Sequence, residues 1–502
     1  MGRWRDFRGV LRPTGAVITG IAVAQAACAM VGGALEWWTL PPADRDAMDV
    51  IGLLGAALIS GLLGLGAYFY GRKHGKETIT RREAILAVSV IWTAAGVFGG
   101  IPFVLSAGMS PVDAFFETVS GMTTTGATVI DDIEDRLSMP LLLWRSLTQW
   151  LGGMGIVVLF VAIFPSLGAG AKHMFKGEVP GTSAEGLKPR IAETSFTLWK
   201  LYAGFTVVEA VLLALLGMSP FEAACHAMTT MSTGGFSTRD ASVGAFDSYA
   251  IEMVIGTFMF IGSVNYGLYY ALLRGRSVKA VFRNTELRVF VALSALLVLI
   301  LTLGTFAIHD HDLITSFRYA YFMVGTTMSS TGYGTSFSDD ASYMHYPEPM
   351  LMVVIVMMFI GGCSGSTAGG IKVERIILMA KLSWAEFRES FRPAVVQVVR
   401  MGRNAVPPEI LRDVAVFVGV YFACLGFGVM FVSITDDVSL PTAFGATLTS
   451  LSNMGPGPFY EASDNFKAYS DSAKLFFVVA MLLGRLEFFT MFALLVPDFW
   501  RR

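Results

Sequence analysis

Pro111-Val112-Asp113-Ala114-Phe115-Phe116-Glu117-Thr118-Val119-Ser120-Gly121-Met122-Thr123-Thr124-Thr125-Gly126-Ala127-Thr128 reads as a short amphipathic helix running into a polar turn that closes on a glycine. From Pro111 to Met122 such a helix is ~18 Å long, so it reaches only partway through the ~30 Å apolar layer of a bilayer. The phrase recurs three times, ending in Ser232-Thr233-Gly234-Gly235-Phe236, Ser330-Thr331-Gly332-Tyr333-Gly334 and Asn453-Met454-Gly455-Pro456-Gly457. Aligned on Gly126, Gly234, Gly332 and Gly455, the turns lie 108, 98 and 123 residues apart. Each sits between two long hydrophobic stretches. Four units of span, short helix, turn and span can surround one axis, which is what a cation pore requires.

The composition agrees. Of 502 residues, 54% are hydrophobic and only 15% charged, against about 25% charged in an ordinary soluble protein. Apolar runs of about 18 residues or more recur along the chain, the length that crosses a bilayer. No stretch is left over for a separate soluble domain. Charge is sorted by loop. Basic clusters occur at Arg3–Arg12, Arg72–Arg82, Lys172–Arg190, Arg274–Arg283, Arg388–Arg412 and Arg501-Arg502, while Asp131–Asp135, Asp339-Asp340 and Asp436-Asp437 are acidic. The positive-inside rule then puts both termini in the cytoplasm and the glycine turns outside. The basic start and Ala24-Gln25-Ala26 also have the form of a signal peptide, but the apolar stretch continues to Leu35 and favours a span. The four cysteines lie in apolar stretches without metal-ligand spacing, and no disulfide or zinc site is expected.

Ten crossings are predicted. Two come first, at 14–36 and 48–70, followed by four pairs at 83–106 with 140–164, 194–217 with 248–273, 287–308 with 348–379, and 410–434 with 472–496. Short helices are predicted at 111–122, 219–230, 313–327 and 440–451, three of them opening on Pro111, Pro220 and Pro441, where a missing N–H costs nothing. The expected fold is an all-α polytopic membrane protein with four pseudo-symmetric span–pore helix–span repeats around one pore, plus two N-terminal spans. The boundaries are 1–75 for the two-span region, then 76–166, 167–275, 276–382 and 383–502 for the repeats. Internal duplication of this kind is common in transport proteins. A twelve-crossing transporter, with the short helices as weak spans, would need basic loops on the wrong side.

A cation stripped of water needs oxygen ligands, and non-helical backbone in a protected cavity supplies them as carbonyls. Glycine permits the backbone that turns carbonyls toward an axis, and the short helices aim their partly negative C-terminal ends at the same place. Candidate ion ligands are therefore Thr124, Thr125, Gly126, Ser232, Thr233, Gly234, Ser330, Thr331, Gly332, Asn453, Met454 and Gly455. The third turn is nearest to a potassium-filter pattern. The fourth is the least regular, because Pro456 lacks a donor and fixes its own backbone angle.

Phe115–Thr128, Trp144-Arg145-Ser146-Leu147-Thr148-Gln149-Trp150-Leu151-Gly152-Gly153-Met154-Gly155 and Gly361-Gly362-Cys363-Ser364-Gly365-Ser366-Thr367-Ala368-Gly369-Gly370-Ile371-Lys372 carry a family likeness. Through them the chain resembles the membrane subunit of the Trk/Ktr/HKT superfamily of potassium transporters, more closely the bacterial TrkH/TrkG type. The resemblance covers nearly the whole chain. It implies potassium as the transported substrate, no cofactor in this chain, a homodimer in membrane lipid of the bacterial inner membrane, and a cytosolic RCK-domain regulatory subunit of the TrkA type that carries the nucleotide. No nucleic-acid partner is expected. Plant relatives with serine at the first filter glycine favour sodium, so Gly126 points to potassium. A sodium-permeable or sodium-coupled member of the superfamily is the alternative.

Gly361, Gly362, Cys363, Ser364, Gly365, Ser366, Thr367, Ala368, Gly369 and Gly370 interrupt the span at 348–379. So many glycines do not hold a firm helix. The stretch reads as a kink, a close helix contact or an intramembrane loop, and the resemblance makes it a gate beneath the filter. Lys372 either pairs with an acid when the loop closes or, with Val373-Glu374-Arg375, marks the membrane boundary. Arg485, inside the final span, costs at least ~2.5–3.5 kcal/mol on insertion scales and must face protein or water. It pairs with Glu487 or a neighbouring helix, or lies in the pathway below the filter, the place the resemblance gives it. Glu117 braces the first turn or caps a network, and Arg145 with Gln149 packs near the turns. A remote alternative, an intramembrane serine protease, would use Ser364 with His226, the histidine lying well inside a membrane segment.

Overall fold

The computed structural model describes residues 8–39, 41, 47–74, 80–162, 187–275, 277–308, 312–334, 346–392, 398–402, 404–459, 465–486 and 488–500. The chain is mostly helical. The principal helices are α1 (Leu11–Thr39), α2 (Ala47–His74), α3 (Arg81–Leu105), α4 (Pro111–Met122), α5 (Met139–Ala162), α6 (Leu187–Leu215), α7 (Pro220–Met231), α8 (Tyr249–Gly262), α9 (Tyr266–Leu273), α10 (Thr285–Ile308), α11 (Leu313–Met328), α12 (Glu348–Phe359), α13 (Val373–Phe391), α14 (Pro408–Asp436), α15 (Leu440–Ser452), α16 (Asp471–Leu486) and α17 (Phe488–Phe492). Among the described residues, α1, α2, α3, α6, α10 and α14 are each long and apolar enough to cross a membrane. This is a multi-pass membrane protein.

The short helices α4, α7, α11 and α15 begin in one way. Ser110, Ser219, Asp312 and Ser439 each cap the helix start by accepting a backbone N–H three residues on, from Asp113, Glu222, Thr315 and Thr442. Such a cap satisfies one of the first-turn donors that have no partner inside the helix. Proline follows directly or within two residues in α4, α7 and α15. The apolar faces of α4 and α15 enter one buried cluster with α3 and α16, around Phe116, Trp144, Ala446 and Phe477.

Two expected spans are not straight. The stretch 248–273 breaks into α8 and α9 with an 88° bend. The freed backbone groups find partners in the glycine-rich stretch: Ser263 accepts from Cys363 N (2.8 Å) and Tyr266 N donates to Gly365 O (3.2 Å). The stretch 472–496 bends by 116° after α16. By contrast the interruption of 348–379 falls where the glycines place it, between α12 and α13. Close helix contacts also rest on small residues. A Cβ on Gly64 would lie 2.8 Å from the Thr19 backbone of α1, and one on Gly152 would run into the Met122 carbonyl at the end of α4.

Gly152→Ala should therefore lower the apparent melting temperature of the purified protein, because overpacking against fixed backbone costs about 1–3 kcal/mol. Gly20→Ala meets nothing within 4 Å and should leave it unchanged or slightly raised. Equal melting behaviour of the two variants in a thermal scan would refute the tight α4–α5 contact.

Candidate functional site

The turns after α4, α7, α11 and α15 share a backbone pattern. Thr125 N donates to Ser120 O (2.8 Å), Gly234 N to Thr229 O (2.9 Å), Thr331 N to Thr326 O (2.9 Å) and Met454 N to Thr449 O (2.9 Å). The residue before each of these is left-handed: Thr124 (φ 54°), Thr233 (55°), Ser330 (57°) and Asn453 (51°). The residue after is a left-handed glycine in three turns, at Gly126 (85°), Gly235 (77°) and Gly332 (81°). The second turn is thus shifted by one residue from the sequence alignment. Gly235, not Gly234, is equivalent to Gly126 and Gly332, and Ser232 is the helix cap, like Thr123 and Ser329. Two adjacent glycines allow either register, and residue type alone does not choose between them. In the fourth turn Gly455 is not left-handed, consistent with the constraint of Pro456.

The four turns meet in chain order. A Cβ on Gly126 would strike the Gly234 carbonyl, and one on Gly235 the Thr331 carbonyl. One on Gly332 would lie 2.7 Å from Pro456 Cδ and 3.0 Å from Gly455 N, and one on Gly455 2.7 Å from the Gly126 carbonyl. The contacts close into a ring. Thr124, Thr125, Thr233, Ser330, Thr331, Asn453 and Met454 are buried, and Gly126, Gly235 and Gly332 are half-buried. Among the described residues, no hydrogen bond is donated to the carbonyls of Thr124, Thr125, Gly126, Thr233, Gly235, Ser330, Thr331, Gly332, Asn453, Met454 or Gly455. Buried backbone carbonyls are almost always paired, so a ring of free ones is an oxygen-rich site for a cation.

The ring is braced from behind. Fully buried Glu117 accepts from Thr128 Oγ1 (3.0 Å), Val129 N (3.0 Å) and Arg145 Nε (2.7 Å). Arg145 also donates to Ser237 O (2.9 Å) and stacks 3.6 Å from the Phe236 ring. Gln149 bonds Gly234 O and Phe236 N. The Tyr333 hydroxyl reaches back to Thr229 Oγ1 (2.5 Å) and His226 O (3.2 Å) on α7. Asn453 Nδ2 ties the fourth turn to Thr125 Oγ1 (3.0 Å) and to Met481 O (2.9 Å). Glu117, Arg145 and Gln149 were visible in the sequence as polar residues near the turns. The ties of Tyr333 and Asn453 join residues 28 to 328 positions apart and leave no local signal.

The stretch Gly361–Lys372 is a folded loop under the ring. Gly361 N donates to Ile371 O (2.9 Å), closing its base. Ser364 N bonds Glu286 Oε1 (2.7 Å) and Ser364 Oγ bonds Glu374 Oε2 (2.9 Å). Ser366 Oγ donates to Cys363 O (2.6 Å), and Gly362, Cys363, Ser366, Thr367, Ala368 and Gly369 are buried. Thr367 Oγ1 reaches Met231 O (3.1 Å) at the end of α7. Gly369 N donates to Ser330 Oγ (2.5 Å) and Gly370 N to Ser452 O (2.8 Å), so the loop bridges the third and fourth turns. Glycine is required at Gly365 (φ 71°) and Gly370 (φ 66°), which are left-handed.

Arg485 is buried at the end of α16, and its Nη1 donates to Thr367 O (2.6 Å). Its Nε and Nη2 have no partner among the described residues; Glu487 lies outside them. Lys372 is half-buried, with its Nζ on Ala368 O, and Glu374 holds Ser364. Lys372 and Glu374 therefore take part in the base of the loop. The loops that follow the first two turns carry charge pairs, Arg239 with Glu134 (2.6 Å) and Glu222 (2.7 Å), and Lys467 with Asp131. The hydrogen bond from Lys467 holds the Asp131 carboxyl below the usual carboxylate range. The protease reading finds no constellation: His226 Nε2 is on Ser237 Oγ (3.0 Å), whereas Ser364 is on Glu374.

Residues 57–500 match the family of TrkH, a cation transport protein. The chain is 39% identical over 437 residues to the Trk system potassium uptake protein TrkH of Salmonella typhimurium, covering 86% of this chain and 89% of that one. It is 33% identical over 444 residues to the Trk system potassium uptake protein TrkG of Escherichia coli, covering 88% and 89%. The crystal structure of the potassium transporter TrkH from Vibrio parahaemolyticus superposes with a TM-score of 0.87 at 33% identity, over 99% of this chain and 100% of that one. These relatives are transport proteins, not enzymes. Fold, turns and sequence agree, and the chain belongs to the TrkH family of cation transport proteins.

Proposed function

We propose that the chain is the potassium-uptake subunit of a bacterial inner membrane, with the ring of turns as its selectivity filter. The observation that carries the reading is the closed ring of unpaired carbonyls at the C-terminal ends of four short helices. A potassium ion entering from the acidic outer rim exchanges water for these oxygens, and the converging helix ends add a negative potential. The four units, at 76–166, 167–275, 276–382 and 383–502, are read as repeats around this one axis, with ten crossings and both termini cytoplasmic. In register, the ring positions are Thr124-Thr125-Gly126, Thr233-Gly234-Gly235, Ser330-Thr331-Gly332 and Asn453-Met454-Gly455, and because the Gly234 carbonyl is bonded to Gln149 the second turn contributes those of Thr233 and Gly235. The departure at Gly455–Pro456 makes the ring only pseudo-fourfold and discrimination against sodium moderate.

Gly361–Gly370 and Lys372 form the gate, with Arg485 as its latch. The loop lies across the inner side of the ring and Arg485 holds it through Thr367 O. At ~10 Å and an effective dielectric of ~20, the arginine also repels a permeating cation by about 1.7 kcal/mol. Relatives named as parts of a Trk system fit a chain that works with other subunits. A second copy and a cytosolic nucleotide-binding regulator are the expected partners, and the basic residues between Lys381 and Arg412 offer the regulator a surface.

Vesicles containing the purified protein should take up potassium in preference to sodium, and Gly126→Ser should narrow that preference by pushing on the Gly234 carbonyl. Comparable uptake of both ions by the unaltered protein would favour the sodium-permeable alternative. Arg485→Gln should raise potassium flux about 17-fold, the factor equivalent to the repulsion above, while leaving the potassium-to-sodium ratio unchanged. An unchanged flux in that variant would remove Arg485 from the gate.

A further inference from the structure

Three of the turns place a residue with a side chain just before the ring glycine position: Thr125, Thr331 and Met454. The second turn places Gly234 there, followed by Gly235. Without a Cβ on either residue, the intervening peptide is held within the turn by one long bond, from Gly235 N to Thr229 O (3.5 Å). The shorter bonds come from α5. Gln149 is fully buried, its Nε2 donates to Gly234 O (2.7 Å), and its Oε1 accepts from Phe236 N (3.1 Å). One side chain thus grips the backbone on both sides of Gly235. The grip also explains why position 234 has no side chain: a Cβ there would lie within 2.8 Å of Gln149 Nε2. The two glycines have separate causes, Gly235 the ring and Gly234 the amide laid against it.

We propose that Gln149 is a positioning residue for ion selection, choosing which glycine of the Gly234-Gly235 pair enters the ring. The inference rests on the filter reading above and names a residue that sets its specificity. The Gly234 carbonyl is committed to Gln149, while its counterparts at Thr125, Thr331 and Met454 stay free. The second turn therefore offers the oxygens of Thr233 and Gly235 on either side of a held one. Loss of the donor lets the Gly234–Gly235 peptide rotate, which replaces a fixed carbonyl pattern by a mixture and admits sodium. Arg145, one helical turn earlier, ties α5 to Glu117 of α4, a hold outside the second turn, and also bonds Ser237 O just beyond it.

The test compares the full-length protein with Gln149→Met and Gln149→Glu in vesicles, reading the potassium-to-sodium flux ratio across acidic and neutral pH. Methionine keeps the bulk and loses both bonds, so the ratio should fall about fivefold, the factor that one ordinary net hydrogen bond gives, at every pH. Glutamic acid regains a donor when protonated, so its ratio should stand above that of Gln149→Met and rise on acidification. A wild-type ratio in Gln149→Met would overturn the proposal. So would equal loss in both variants in acid, because the effect would then be one of shape rather than of the donated bond. Should Gln149→Met not reach the membrane, the acid dependence of Gln149→Glu decides alone. Absence of potassium preference in the unaltered protein is a different result and would remove the filter reading itself.

Discussion

A buried carbonyl with no donor costs about 1–3 kcal/mol, and this protein gathers a ring of them at one point. Such a ring does not hold itself together, because neighbouring carbonyl dipoles repel. The surrounding structure supplies the restraint. The amide of each turn that could bond forward bonds back instead, into the last turn of its own helix, which leaves the carbonyls facing the other way. Glu117, Arg145, Gln149, Tyr333 and Asn453 then tie the turns to their neighbours or to the helices behind them. The buried Glu117–Arg145 pair is better regarded as a geometric strut than as a source of stability, since burying two charges consumes most of what their attraction returns.

Close approach is the second demand. Four turns share one axis only if each glycine leaves its missing side chain's place to a neighbour's backbone, as Gly126 does for Gly234 and Gly235 for Thr331. The same device recurs beneath the ring, where Gly369 lies against Ser452 O and Gly361 against Gly369 O. Symmetry is incomplete because one turn carries proline. Pro456 Cδ occupies the space beside Gly332, so the junction of the third and fourth turns is the one where a ring atom meets a side chain rather than a carbonyl. It is also the junction spanned by the loop.

Much of this could be seen in the chain beforehand, for identifiable reasons. A short helix opening on a Ser or Asp cap, with proline close behind in three of four, and ending in a polar turn that closes on glycine is a local pattern, so all four helices and turns were legible. The glycine interruption at 361–370 was equally local. What escaped was whatever depends on direction or partnership. Hydropathy measures length but not direction, so the bends after Gly262 and Leu486 read as straight spans. The Gly234-Gly235 pair offered two registers, and the side chain bonded beside them, Gln149, lies on another helix. Arg485 left two readings open, a pair with Glu487 or a neighbouring helix and a place below the turns; its described bond is to a backbone carbonyl of the loop, and Glu487 lies outside the described residues.

On the proposed reading of the loop as a gate, its bonds constrain how it opens. Its amides satisfy Ser263 O at the break between α8 and α9 and Ser452 O at the end of α15, and its Thr367 hydroxyl serves Met231 O. A gate that swings away strips all three carbonyls of their donors at once. In a dry interior the combined cost would be several kcal/mol, too much for a switch that must work in both directions. Water entering the space that the loop leaves offsets it, because each carbonyl exchanges a peptide donor for a water donor. On the proposed reading, opening the gate and wetting the inner half of the pathway are therefore one event. The carbonyls that the loop caps when closed become the oxygen lining along which a rehydrating cation leaves.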